Sequence, residues 1–100
     1  MKTHGLYGHP LYNMWANMVA RCTNPWATEF HRYGGRGITV CDEWMDIATF
    51  IADIERILGP KPKPSYSLDR TDNDSGYSPT NVRWASKRTQ ALNRKRSFVH

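Results

Sequence analysis

One hundred residues make one compact domain and leave no room for two, so the function has to fit a single small scaffold. Fourteen Lys and Arg against nine Asp and Glu give a formal charge of +5, and the chain is 39% hydrophobic with four Trp, five Tyr and three Phe. That is enough to build a core and argues against wholesale disorder. No run approaches the roughly twenty apolar residues of a membrane helix, and MKTHGLYGHP lacks the apolar segment of a signal peptide, so the expectation is a cytoplasmic protein with no membrane partner. Cys22 and Cys41 form neither a CxxC pair nor a zinc spacing and read as buried reduced thiols.

The charge is unevenly placed. Residues 1 to 74 hold eight basic and nine acidic side chains, a net of −1, whereas residues 75 to 100 hold Arg83, Lys87, Arg88, Arg94, Lys95 and Arg96 and no acid at all. All of the positive excess lies in the last quarter, as either a solvated tail or a phosphate-binding helix.

In chain order, Leu11, Trp15, Met18, Val19 and Cys22 recur at helical spacing and predict a core helix from Pro10 to Cys22, with the proline at its first position. Thr23 to Arg32 reads as a loop whose Trp26 and Phe30 are packing residues. YGGRGITVCDEW combines a glycine turn with a β-branched run and predicts a short strand at 38–40, ending at Asp42 as a helix cap. Trp44, Ile47, Ala48, Ile51, Ile54 and Leu58 form one face of a helix from Glu43 to Leu58, stopped by Gly59 and Pro60. The prolines of residues 60–65 make a stiff extended linker. Tyr66 and Leu68, then Val82 and Trp84, alternate with polar neighbours, so 66–70 and 81–85 predict a β-hairpin across the turn-rich DNDSGYSPT. Ser86 caps a basic helix from Lys87 to about Arg96. The expected fold class is α+β: a mostly helical part over 10–59 and a hairpin-and-helix unit over 66–97 in one domain.

The segment SLDRTDNDSGYSPTNVRWASKRTQALNRKR resembles the ββα-metal motif of the HNH, or His-Me finger, endonucleases, in which a divalent ion lies between a hairpin and a helix. The resemblance implies metal ligands at Asp69 and Gln90 and the central motif asparagine at Asn81. The usual general-base histidine is replaced by Arg70, which cannot accept a proton near neutrality. The pattern DRxDxxxGYSPxNxR is similar to a variant of the family that includes the restriction enzyme PacI and small phage proteins, which implies that Tyr77 stands beside the scissile phosphate. The zinc-binding cysteines of PacI are absent, and no zinc is expected.

Each role implied by the resemblance has a physical reason. Asp69 and Gln90 offer hard oxygens suited to Mg²⁺ or Mn²⁺. Arg70 would hold a phosphate bidentately and lower the pKa of a nearby phenol, and Tyr77 would attack or orient water. Strict alternation places Asp69 and Arg70 on opposite strand faces, so the strand is expected to end or bulge there; without that irregularity, Arg70 reads as structural or backbone-contacting. Asp72 and Asp74 read as turn formers, Trp84 as core, and His4, His9 and His100 as unconnected to the site, with His31 a remote candidate base. Arg36, in the glycine turn, Arg83, Lys87, Arg88, Arg94, Lys95 and Arg96 are the candidate DNA contacts, with Lys61 and Lys63 adding phosphate contacts. The leading expectation is a metal-dependent endonuclease acting on double-stranded DNA, a single site cutting one strand unless it dimerises. The alternatives are a catalytically silent DNA-binding module on the same scaffold, and a protein that acts by binding other proteins.

Overall fold

A computed structural model describes residues 8–92. Within them, an α+β fold is built from helix α1 (Tyr12–Thr23), helix α2 (Ile47–Ile57), and a two-stranded antiparallel sheet of β1 (Ser67–Arg70) and β2 (Val82–Ala85). Short 3-10 turns at Phe30–Arg32, Gly34–Arg36 and Asp42–Met45 join the two helices.

Helix α1 starts two residues later than the proline suggests. The backbone N–H of Tyr12 donates to the His9 carbonyl at 2.9 Å and that of Leu11 donates to the His9 imidazole Nδ1 at 3.1 Å, so His9 satisfies the start of the helix and Pro10 stays outside it. Leu11, Met18 and Cys22 are buried, and the half-buried Trp15 donates its indole N–H to the Trp44 carbonyl at 2.8 Å.

The predicted strand at 38–40 shrinks to a single bridge. Val40 pairs in parallel with Tyr77 alone, through Tyr77 N–H to the Thr39 carbonyl (2.9 Å) and Cys41 N–H to the Tyr77 carbonyl (3.0 Å). Among the described residues no other bridge extends this pairing. The close approach requires glycine at position 76, where a Cβ would collide with the Thr39 carbonyl.

Helix α2 is also shorter than its apolar face implied. Its cap is Asp46, not Asp42: the Asp46 carboxylate accepts from the Thr49 amide (3.2 Å) and hydroxyl (2.8 Å), and its own extended backbone separates α2 from the preceding 3-10 turn. Trp44 tethers that turn by donating its indole N–H to Asp53 at 2.9 Å, and this bond, followed by that from Arg56, holds the Asp53 carboxyl below its ordinary range. Trp44 meets Phe50 edge to face at 5.1 Å, and with Met18, Ile47 and Ile54 they form the fully buried centre of the core. The stop is as predicted: Gly59 adopts a left-handed φ of 70° and donates to the Ile54 carbonyl.

Residues 60–64 are exposed, and the Trp84 indole donates back to the Gly59 carbonyl at 3.1 Å, joining the hairpin to the end of α2. Trp84 is half-buried against the core. After β2, Ser86 accepts the Thr89 amide at 3.2 Å and the chain is helical from 87 to 92. The rest of the predicted basic helix, with Arg94, Lys95 and Arg96, lies outside the described residues.

Candidate functional site

The hairpin pairs without interruption, Ser67 with Ala85, Leu68 with Trp84, Asp69 with Arg83 and Arg70 with Val82. Of the two irregularities expected there, no bulge occurs, and the strand ends at Arg70 with that residue still in register opposite Val82. Alternation therefore holds, with Leu68 and Arg70 turned toward the core and Ser67 and Asp69 turned the other way. The residues grouped by the motif are thus divided between two faces.

On the core face, Arg70 is 5% exposed. One terminal nitrogen donates to the carbonyls of Asn73 (2.6 Å) and Ser75 (2.9 Å), the other to the Asn73 side chain (3.0 Å), and the guanidinium lies over the rings of Tyr33 and Tyr77 at 5.1 and 5.5 Å. Arg70 is built into the folding of the loop between the strands. Asn81 completes that loop. Its side-chain oxygen accepts from the Asp72 amide at 2.7 Å, and its amide group donates to the carbonyls of Gly76 (2.9 Å) and Asp72 (3.2 Å).

Tyr77 is 2% exposed, stacks on Tyr33 at 6.2 Å, and its hydroxyl accepts from Arg21 at 3.0 Å. Burial pushes its pKa up, against the opposing pull of the Arg21 charge. The phenol sits inside the scaffold and not on its surface. Arg21 was missed by the sequence reading; the available signal was a cation between Met18 and Cys22, on the flank of a buried helical stripe. Its guanidinium also covers the Tyr33 ring at 4.8 Å.

Asp72 and Asp74 are turn residues as read. The Asp72 carboxylate accepts from the Asp74 amide (3.0 Å) and the Ser75 hydroxyl (2.8 Å), and these bonds lower its pKa. Arg36 reaches from the glycine turn to Asp74 (2.9 Å) and to the Asn73 carbonyl (3.3 Å), so it ties the turn to the interstrand loop.

The opposite hairpin face carries Asp69. One carboxylate oxygen, Oδ2, accepts from Arg83 Nε and Nη2, each at 3.1 Å, and among the described residues no donor reaches Oδ1. Ala85, on the same face, is buried, and its carbonyl accepts from Gln90 Nε2 at 3.3 Å, which leaves the Gln90 oxygen without a donor among the described residues. Lys87 and Arg88 are exposed on the first turn of the terminal helix. Lys61 and Lys63 are exposed on the linker, as is His31 in its 3-10 turn.

No three His, Cys, Asp or Glu side chains converge among the described residues, and Asp69 is the carboxylate carried by the two paired strands. A carboxylate oxygen and an amide oxygen are donor types that a hard cation such as Mg²⁺ takes, with the rest of its shell left to water. No family model matches the chain, and comparison with curated proteins and with solved structures gives no match. No described helix is long and apolar enough to cross a membrane.

Proposed function

We propose that the chain is a metal-dependent DNA endonuclease of the HNH type, of phage or mobile-element origin, whose working surface is the Asp69 face of the hairpin together with the basic terminal helix. The observation that carries this reading is the Asp69 carboxylate: it faces away from the core, is held by Arg83 through one oxygen only, and belongs to a hairpin whose second strand leads into a helix that begins with two exposed cations. Asp69 Oδ1 and the Gln90 oxygen would hold Mg²⁺ or Mn²⁺, which supplies charge neutralisation to a phosphodiester. Arg83, already positioned beside Asp69, would grip the phosphate in the place first given to Arg70. Arg70, Tyr77 and Asn81 then serve the site by fixing the loop and the strand ends. Lys87 and Arg88, with Arg94, Lys95 and Arg96 beyond them in sequence, would contact the DNA backbone.

A second reading, a silent DNA-binding module, is favoured by one specific observation: Arg70 and Tyr77, the two groups proposed to replace the missing base, are both buried and bonded within the scaffold. Supercoiled plasmid incubated with Mg²⁺ or Mn²⁺ separates the two. Nicking that stops with chelator and in Asp69→Ala supports the nuclease. Retarded plasmid with no nicking at any metal concentration supports the module, and no DNA binding at low salt sinks both.

A further inference from the structure

Asp69 and Arg83 are the two charges that the nuclease reading needs for different partners, one for a cation and one for a phosphate, yet they are paired with each other across the hairpin. The pairing is one-sided. Arg83 Nε and Nη2 both reach the same carboxylate oxygen, each at 3.1 Å, in place of the fork in which two nitrogens meet two oxygens. Among the described residues Arg83 Nη1 has no acceptor and Asp69 Oδ1 has no donor. The carboxylate side chain is 15% exposed and the arginine 37%, so the guanidinium is the member of the pair that an arriving ligand meets first.

A guanidinium in contact with a carboxylate neutralises it and repels any second cation that approaches. In this state Asp69 is a poor ligand for a divalent ion. A partly exposed ion pair is weakly held, whereas an arginine offered a phosphate can make two parallel charge-assisted hydrogen bonds and release counterions from the DNA. We propose that Arg83 exchanges between these two anions: it covers Asp69 in the free protein and turns to a DNA phosphate on binding, which uncovers the carboxylate for a divalent cation. DNA and metal then bind cooperatively, each raising the affinity for the other by the same factor. The protein alone holds metal poorly, and the site is completed on its substrate. This inference rests on the nuclease reading above and adds to it the coupling of its two ligands.

The test has two readouts, neither of them cleavage. Mn²⁺ binding to the whole protein without DNA is followed by electron paramagnetic resonance for the original chain, Arg83→Gln and Arg83→Lys. Affinity for a labelled duplex is then measured with Ca²⁺ and with chelator at matched ionic strength, with Asp69→Asn as the control for ions held by the DNA itself. Without DNA, Arg83→Gln is expected to bind Mn²⁺ roughly ten-fold more tightly than the original chain, and Arg83→Lys, which keeps a cation there, to stay close to it. Ca²⁺ is expected to raise the duplex affinity of the original chain by roughly ten-fold, that of Arg83→Gln much less, and that of Asp69→Asn not at all. The measurement on the original chain stands whether or not a variant folds, and melting curves identify any that does not. Equal Mn²⁺ affinity of the original chain and a folded Arg83→Gln, or a duplex affinity of the original chain that ignores Ca²⁺, overturns the exchange while leaving metal and DNA binding in place. Absence of Mn²⁺ binding in every protein, together with that indifference to Ca²⁺, overturns the metal site itself.

Discussion

At the scale of single residues, the side chains that looked most chemical turn out to hold the fold. Asn81 is 9% exposed and makes three hydrogen bonds to the backbone of the interstrand loop. Asn81→Ala would leave a part-buried amide and two part-buried carbonyls unmatched, and is expected to cost about 1–3 kcal/mol in urea unfolding. Tyr77→Phe keeps the ring and its stack on Tyr33 and removes only the acceptor for Arg21, so the expected loss is about 1 kcal/mol. Plasmid nicking by that variant should persist, and its abolition in a folded protein would restore Tyr77 as a reacting group. The pH dependence follows from the direction of the Tyr77 shift. Its folded pKa is raised by burial above the usual value near 10, so the folded state holds the phenolic proton more tightly than the unfolded chain. The associated stability is complete below about pH 10 and is lost as pH rises through the folded value. Alkaline melting curves of the original protein should therefore fall above about pH 10, and those of Tyr77→Phe should fall less.

At the scale of elements, caps and close approaches decide where pieces begin and how they dock. Asp42 is the cap expected from the sequence, and α2 is capped by Asp46 instead because its carboxylate meets both donors of Thr49. Asp46→Ala should lower stability by about 1 kcal/mol, measured by thermal melting, while Asp42→Ala should do much less. The docking of the glycine turn onto the hairpin loop depends on Gly76 lying against the Thr39 carbonyl. Gly76→Ala would force that contact apart and with it the Val40–Tyr77 bridge. A loss of about 2 kcal/mol or more is expected, with early exchange of the Tyr77 and Cys41 amides in hydrogen exchange.

At the scale of the whole molecule, electrostatics is the property most directly testable. If five or six of the cations from Lys61 to Arg96 engage phosphate, duplex affinity should fall with a log–log salt slope of roughly −5, and charge reversal of Lys87 and Arg88 should make it shallower by roughly two. A slope near zero would remove the backbone-contact reading. The α+β class, the hairpin to within one residue at the start of each strand, the Gly59 stop and the asymmetry of charge were legible in the sequence, because each follows from local propensity, periodicity or composition. The number of residues in the short strand, the start of α2, the burial of Arg70 and Tyr77 and the exposure of Trp26 were not. These depend on which segments meet: among the described residues Val40 bridges to Tyr77 alone, Tyr33 and Arg21 arrive from elsewhere to enclose the phenol, and no described residue covers Trp26. The sequence by itself determined that an acidic residue precedes a basic hairpin and helix. Only the tertiary structure decided that Asp69 and Arg70, adjacent in the chain, face opposite ways, because an unbroken antiparallel ladder sends successive side chains to opposite sides of the sheet.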